Sequence, residues 1–231
     1  MSTLTLVRHG QATPFEKITD RLSETGVAQA RLLGEYWRRQ GVTFHEVVSG
    51  SLTRHRQTLD AIGLGDGARF DPGWNEYRAD DVLAKLSPVL ETRDERYARL
   101  ALESRKAMAG PERNRYFQRM LEVLMEVWLR GEVAVEGVET FVDFEARVVR
   151  ALRDVVMGGG SGRDVLVVTS GGPIGLCVQR ALSAPVKAFL DVNWRMRNGS
   201  ITEFTFGGAR FTLDSMNGLP HLEDRSMWTW R

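Results

Sequence analysis

Three side chains, those of Arg8, His9 and Arg54, are of types that could bind and attack a phosphoryl group. Arg8 and His9 directly follow an alternating, β-branched stretch over 3–7, which predicts a strand. An imidazole at a strand end can attack an electrophile, and a neighbouring guanidinium can bind two phosphate oxygens. Arg54 follows a second predicted strand and lies near a helix start that also favours anions. The alternatives are an ordinary surface His–Arg pair and an ion pair between Arg54 and an acid.

Two further positions carry groups that such chemistry could use. Glu76 could keep a proton under apolar cover and donate it to a leaving oxygen, although an ordinary solvated glutamate is the simpler interpretation of the residue alone. Ser170 and Gly171 stand where the apolar strand 165–168 enters a glycine-rich helix start. Unpaired N–H groups and a hydroxyl there predict an anion-binding turn, and the alternative is a tight turn that merely needs glycine.

Composition limits the classes of function. The chain has 231 residues and a formal charge of +1, which supplies no overall field for nucleic acid or an anionic membrane. Its single cysteine, Cys177, excludes an internal disulfide and a cysteine-based zinc site. No apolar run is long enough to span a bilayer, and the N-terminus lacks a signal-peptide pattern, so we expect a cytoplasmic protein. Any histidine chemistry must use His9, His45, His55 or His221.

The order of the predicted elements indicates the fold class. Strands alternate with helices at both ends of the chain, and a helical block fills the middle. This pattern predicts an α/β protein with three α/β/α layers and a mostly parallel sheet, which ends in a hairpin over 201–206 and 210–213. We expect one domain over 1–231, with a helical insertion at 78–138 above the carboxyl ends of the strands.

Large apolar side chains predict two packing regions. One set recurs at helical spacing and indicates either the core of the insertion or the face of a homodimer. Trp228 and Trp230 near the C-terminus are expected to pack back on the body rather than bind a partner. The residues at helical spacing are Tyr116, Phe117, Met120, Leu124 and Trp128.

Taken in order, the motifs resemble those of the histidine phosphatase superfamily, which has the phosphoglycerate-mutase-like fold. The resemblance extends over nearly the whole chain and begins with the Arg8–His9–Gly10 motif that defines the family. Each matching segment alone is a loose signal, but their common order along the chain is specific. The segments are 6–10, 22–30, 51–58, 139–147, 165–173 and 198–202.

The resemblance implies a phosphatase that hydrolyses a phosphoric monoester. His9 would become a phosphohistidine, Arg8 and Arg54 would hold the phosphoryl oxygens, and Glu76 would donate the proton. The implied partner is a small phosphorylated molecule or inorganic phosphate, and neither a metal nor a cofactor is implied. The residues expected to bind the substrate are Ser170, Gly171 and Gln11.

One departure from the family bears on activity. Ser170 stands where the family usually has a second histidine, and a serine cannot carry positive charge. Losing a charge-assisted contact should cost about 1.5–3 kcal/mol, or roughly ten- to hundredfold in rate. The alternative function is therefore a catalytically weak or inactive phosphate-binding or regulatory protein. We expect neither His55 nor His221 to substitute, because an ordinary surface histidine explains both. Adjacent helical residues also point about 100° apart, which turns His55 away from Arg54.

The segment after the first motif argues against a third function. Phosphoglycerate mutases of the family have a tryptophan- and asparagine-rich signature there. The segment 11–19 lacks this signature, and Phe15 stands where many members have asparagine. The sequence therefore favours a phosphatase over a mutase.

Overall fold

Six strands form one mixed sheet in the computed structural model, which describes residues 1–13 and 20–230. Phe15 and the rest of 14–19, which carry the argument against a mutase, lie outside the described residues. The strand order is β3-β2-β4-β1-β5-β6. The strands are β1 (Ser2–Arg8), β2 (Glu46–Ser49), β3 (Arg69–Phe70), β4 (Asp164–Thr169), β5 (Ile201–Gly207) and β6 (Arg210–Gly218).

The helices begin and end where local signals place them. Ser23 accepts a hydrogen bond from the backbone N–H of Gly26 and so caps the first helix, which ends at Gly41 in the left-handed region. The helices are α1 (Glu24–Gln40), α2 (Thr53–Ile62), α3 (Ala79–Asp81), α4 (Ser87–Arg93), α5 (Glu95–Ala107), α6 (Arg113–Arg130), α7 (Phe141–Met157), α8 (Gly171–Ala181) and α9 (Ala188–Asn193), with a π-helical turn over Val82–Leu86.

The carboxyl ends of three parallel strands meet at one edge of the sheet. β1, β2 and β3 run parallel with β4 between β1 and β2, whereas β5 and β6 are antiparallel. Arg8 pairs with Thr169, and Ser49 pairs with Val168, so β1, β2 and β4 end side by side. Whatever follows these strands is therefore brought to the same edge, where ligands of open α/β sheets bind.

Both faces of the sheet are buried. Val7 and Val168 point to one face and pack with Leu33 of α1 and Leu59 of α2. Their neighbours along the strands point to the opposite face and are fully buried as well; these are Leu4, Leu6, Val165 and Val167. A sheet covered on both faces has three layers, which confirms the predicted α/β class and its mostly parallel sheet. The predicted closing hairpin is confirmed by β5 and β6.

The chain divides into two compact units, 1–76 with 147–231 and 77–146. The second unit contains α3 to α6 and is built around an aromatic cluster of Tyr77, Trp128 and Phe144. Met120, Leu124 and Trp128 are buried, as an insertion core requires. That the insertion covers the strand ends remains a prediction.

The C-terminal tail packs back on the first unit through Trp228, as predicted, whereas Trp230 is 46% exposed. Asn198 donates its backbone N–H to the carbonyl of Thr229 at 2.8 Å, and Gln29 donates to the carbonyl of Met227 at 2.7 Å. The guanidinium of Arg197 lies 4.5 Å from the ring centroid of Trp228. Within the described chain, no helix combines the length and the apolar character needed to cross a membrane.

A close contact between two glycines joins the first strand end to α1. A Cβ on Gly10 would lie 2.3 Å from the carbonyl oxygen of Gly26, and a Cβ on Gly26 would lie 2.1 Å from that of Gln11. Both distances are far below van der Waals contact, so neither position accepts a side chain without a backbone shift. The contact fixes the chain immediately after His9.

We predict that Gly26→Ala lowers the free energy of unfolding by about 1–3 kcal/mol, because overpacking outweighs the gain in helix propensity. Urea denaturation of the two proteins measures the difference. Gly160→Ala is the matched control, since a Cβ there meets nothing within 4 Å. Equal midpoints for the two variants would show that the glycine contact does not constrain the fold.

Candidate functional site

His9 lies just beyond β1 and is buried, with 6% of its surface exposed. Its backbone N–H donates to the carbonyl of Thr169 at 2.9 Å, which ties it to the end of β4. Nε2 lies 3.2 Å from Nε of Arg54, and Nδ1 lies 2.7 Å from the carbonyl oxygen of Gly10. A guanidinium only donates, so Nε2 must be the acceptor and Nδ1 carries the hydrogen. The ring is therefore neutral, with its lone pair at Nε2.

Positive charge surrounds this neutral ring. Burial, followed by the charges of Arg54 and Arg8, holds the pKa of His9 well below its usual range. His55 acts in the same direction, and only the hydrogen bond to Gly10 opposes it. The lone pair of His9 thus stays available throughout the neutral pH range, as a nucleophile requires.

Arg54 is held by an acid that the sequence did not single out. Its Nη1 donates to Oδ1 of Asp20 at 2.8 Å, and Oδ2 of the same carboxylate accepts the backbone N–H of Thr53 at 2.8 Å. The residue before α2 is Leu52, which has no side chain able to cap the helix. The acid-pair alternative for Arg54 is therefore correct, and the pair coexists with the contact to His9.

Two further residues of α2, Gln57 and Thr58, bond this helix to the chain that follows β1. The hydroxyl of Thr58 donates to the carbonyl of Arg54 at 2.7 Å and accepts the backbone N–H of Gly10 at 3.1 Å. The side chain of Gln57 accepts the backbone N–H of Leu22 at 2.8 Å. These hydrogen bonds hold α2 against the segments that follow β1.

Arg8 ends β1 next to His9. Its Nη1 donates to the carbonyl oxygen of Met196, and its backbone N–H donates to that of Ser200 at 3.0 Å. The guanidinium is therefore oriented by a carbonyl group from the connection before β5. Its role as a phosphoryl ligand remains a prediction.

His55 corrects an expectation from the sequence. We expected an exposed histidine turned away from the site, but His55 is fully buried and its ring centroid lies 5.6 Å from that of His9. Its Nε2 lies 2.6 Å from the hydroxyl oxygen of Ser170, which is also fully buried. Burial, with Arg54 as the second cause, holds the pKa of His55 well below its usual range. A second imidazole is thus present beside the residue that stands in place of the family's histidine.

His221 also differs from expectation. It is 94% buried rather than on the surface, and both ring nitrogens lack a hydrogen-bond partner among the described residues. Burial lowers its pKa to about 4. A Cβ on Gly199 would lie 3.5 Å from its Nε2, so the ring packs behind the end of β1 and makes no hydrogen bond to the candidate site.

Glu76 is positioned by two elements of the first unit. Its Oε2 accepts the backbone N–H of Gly172, in the first turn of α8, at 3.1 Å. Arg147 of α7 donates to the carbonyl oxygens of Asn75 at 2.7 Å, of Glu76 at 3.1 Å and of Gly73 at 3.1 Å. The carboxylate is therefore directed at the helix start that follows Ser170, and it is not an ordinary solvated glutamate.

Gly171 and Gln11, the other two residues predicted to bind the substrate, lie in different surroundings. A Cβ on Gly171 would lie 2.3 Å from Oδ1 of Asn193, so a larger residue there would displace that side chain. Gln11 makes its hydrogen bonds to α1: its backbone N–H donates to Gln29 at 2.9 Å, and its Oε1 accepts from Ser23 at 2.9 Å. Substrate binding by either residue remains a prediction.

The geometry brings most of the candidate residues to one edge of the sheet. His9 and Arg54 are in direct contact, Ser170 contacts His55, and Glu76 caps the helix that Ser170 precedes. A neutral imidazole with its lone pair against a guanidinium can attack a phosphorus atom whose oxygens the guanidinium holds. Among residues 1–13 and 20–230, no group of three histidine, cysteine or acidic side chains is placed to hold a metal ion.

The chain matches the model described as "Histidine phosphatase superfamily (branch 1)" over residues 4–131 and 118–218. No curated protein matches the chain.

Solved structures share the fold at low sequence identity. YhfR of Bacillus stearothermophilus has 19% identity and a TM-score of 0.66, with 96% of this chain and 100% of that one covered. A phosphoserine phosphatase mutant of Entamoeba histolytica, in complex with phosphoserine, has 17% identity, a TM-score of 0.63 and the same coverage. A mycobacterial glucosyl-3-phosphoglycerate phosphatase in complex with VO3 has 22% identity and a TM-score of 0.62, with 94% of this chain and 98% of that one covered.

We predict that acid destabilises the protein through its buried neutral histidines. Unfolded histidine takes up a proton near pH 6.5, whereas His221 in the folded state does so only near pH 4. The unfolded state therefore binds more protons as the pH falls between these values, and the free energy of unfolding decreases. His221 alone should account for about 2 kcal/mol of the loss between pH 7 and pH 5.

His221→Leu should remove that share, because leucine fills similar space and has no group to protonate. Urea denaturation at pH 7 and pH 5 measures it. Val186→Leu, a change at an exposed residue that removes no titratable group, should keep the pH dependence of the wild type. An unchanged dependence in His221→Leu would contradict the assignment.

Proposed function

We propose that this chain, which belongs to the histidine phosphatase superfamily, hydrolyses phosphoric monoesters through a phosphohistidine on His9. The observation that carries the proposal is the neutral ring of His9, whose Nε2 lone pair faces the guanidinium of Arg54 at 3.2 Å. A phosphoryl group bound by that guanidinium would present its phosphorus to the lone pair. Phosphoryl transfer depends mainly on such positioning and on neutralisation of charge.

The first step transfers the phosphoryl group to the enzyme. The lone pair of His9 Nε2 forms a bond to phosphorus while the bond between phosphorus and the ester oxygen breaks. The leaving oxygen takes a proton from the carboxyl group of Glu76 and departs as an alcohol. Arg8 and Arg54 stabilise the charge on the transferring oxygens, and the hydroxyl of Ser170 and the N–H of Gly171 add donors at the helix start.

The second step returns the enzyme to its first state. Water attacks the phosphorus, and the carboxylate of Glu76 takes the proton that the water loses. The bond between phosphorus and Nε2 breaks, which restores the neutral ring and releases inorganic phosphate. The hydrogen bond from His9 Nδ1 to the carbonyl of Gly10 keeps the reactive nitrogen fixed through both steps.

The substrate class is a small phosphomonoester. Support comes from the structural neighbours, one of which was solved with phosphoserine and another with VO3. We assign selection among such substrates to the insertion, 78–138, within the single domain 1–231. Neither nucleic acid nor a membrane enters the proposal, the protein is placed in the cytoplasm, and a homodimer is compatible with it.

The alternative of a weak or inactive phosphate-binding protein rested on the absence of a second histidine at position 170. The buried ring of His55 lies 2.6 Å from Ser170, but burial holds its pKa well below the usual range, so it adds a neutral imidazole and not the positive charge that Ser170 lacks. The mutase receives no added support from the described residues. We propose active hydrolysis rather than the phosphate-binding alternative because the Nε2 lone pair of His9 faces the guanidinium of Arg54.

We predict that His9→Ala abolishes hydrolysis of p-nitrophenyl phosphate, with kcat/KM reduced at least 10³-fold, because no nucleophile remains. Release of p-nitrophenol measures the rate, and rapid quenching tests for a phosphoryl label that is stable to alkali and lost in acid. His45→Ala, at an exposed position, should retain the wild-type rate and label. Equal rates for wild type and His9→Ala would refute the enzymatic function.

We predict that the effect of Glu76→Gln depends on the leaving group. An alkyl phosphate needs a proton donor, so kcat/KM should fall about 10²- to 10⁴-fold. A p-nitrophenolate leaves unprotonated, so its first step should change far less. Glu223→Gln, at an exposed glutamate, is the control and should match wild type with both substrates. An equal loss on both substrates would contradict the role of proton donor.

A further inference from the structure

The ring of His55 has a space built for it beside the second strand end. A Cβ on Gly50 would lie 2.2 Å from Nδ1 of His55, so the ring occupies the volume that any side chain at position 50 would need. The side chain is fully buried although it lies in the first turn of α2. Burial of a polar ring is costly unless the ring is hydrogen-bonded, and among residues 1–13 and 20–230 the ring of His55 makes one such bond.

This hydrogen bond joins His55 to Ser170, whose hydroxyl makes no capping hydrogen bond to α8. Ser170 is the residue before the first turn of α8, where a serine hydroxyl normally caps the helix. Here the hydroxyl makes no capping bond and lies 2.6 Å from Nε2 of His55. The carboxylate of Glu76 accepts the N–H of Gly172 in that first turn instead, which leaves the hydroxyl of Ser170 to His55.

The hydrogen on His55 can be assigned from its surroundings. Nδ1 is buried and has no hydrogen-bond partner among the described residues. A buried N–H without an acceptor is rarer in proteins than a buried acceptor without a donor. The hydrogen therefore belongs on Nε2, which donates it to the oxygen of Ser170. The hydroxyl hydrogen of Ser170 then cannot point at His55 and is available to another acceptor.

We propose that His55 is the positioning residue for Ser170, and that it directs the Ser170 hydroxyl hydrogen to a phosphoryl oxygen during transfer to His9. The proposal rests on the proposed function and adds a role that the family resemblance does not assign. The imidazole does not bond to phosphorus and no covalent bond changes at His55. It makes the hydroxyl a fixed donor for the charge that develops on the phosphoryl group.

Two substitutions of similar size separate a positioning role from a packing role. Glutamine places an N–H near the position of the histidine Nε2, whereas leucine fills the space without a donor. His55→Leu should lower kcat roughly ten- to hundredfold with little change in KM, because the lost interaction acts in the transition state. His55→Gln should recover most of that loss.

The same substitutions in Ser170→Ala test whether His55 acts through the hydroxyl. Ser170→Ala alone should lose activity to about the extent of His55→Leu. In that background His55→Leu and His55→Gln should have equal kcat, since no hydroxyl remains to be directed. Thermal unfolding of each variant monitors the folded state. If His55→Leu does not fold, the proposal is tested by comparing Ser170→Ala with Ser170→Ala/His55→Gln. The kcat of the double variant should then be no lower than that of Ser170→Ala.

Any of three results would overturn the proposal. The first is a wild-type kcat in Ser170→Ala, and the second is an equal kcat for His55→Leu and His55→Gln when Ser170 is present. The third is an equal fold-loss in kcat from His55→Leu with and without the serine hydroxyl. Failure of the proposed function gives a different result. In that case wild type hydrolyses no phosphomonoester faster than His9→Ala does, and this comparison needs no His55 variant.

Discussion

The contact between Arg54 and the neutral ring of His9 governs the site. A guanidinium keeps its charge at all relevant pH values, so its donation to Nε2 requires a lone pair there and a hydrogen on Nδ1. Gly10 receives that hydrogen because the glycine contact with α1 fixes its carbonyl. Asp20 holds the other side of the guanidinium. The nucleophile is therefore prepared by backbone geometry and one ion pair before a substrate arrives.

The parts of this arrangement that depend on local sequence were predictable. Alternation indicated β1, a continuous apolar run indicated β4, and the glycine turn at Gly171 indicated a helix start. Strand ends of a parallel sheet share one edge, so the convergence of Arg8, His9 and Arg54 followed from topology. The sequence thus sufficed for the fold class and for the residues at the ends of strands.

Contacts between residues that are far apart in the sequence were not predicted. The expectation for His55 treated α2 alone, where adjacent residues diverge by about 100°. It left out the missing side chain at Gly50, which lets the ring turn in toward Ser170. Asp20 gave no signal beyond the absence of a capping residue before α2, and that absence does not say which acid supplies the acceptor.

The close approach of Gly50 to the His55 ring makes the site depend on a residue that contributes no side chain to it. A Cβ at position 50 would occupy the volume that the imidazole of His55 fills in its present orientation, so a larger residue there would push the ring away from Ser170. The identity of residue 50 therefore constrains the contact between His55 and Ser170 through empty space rather than through a bond.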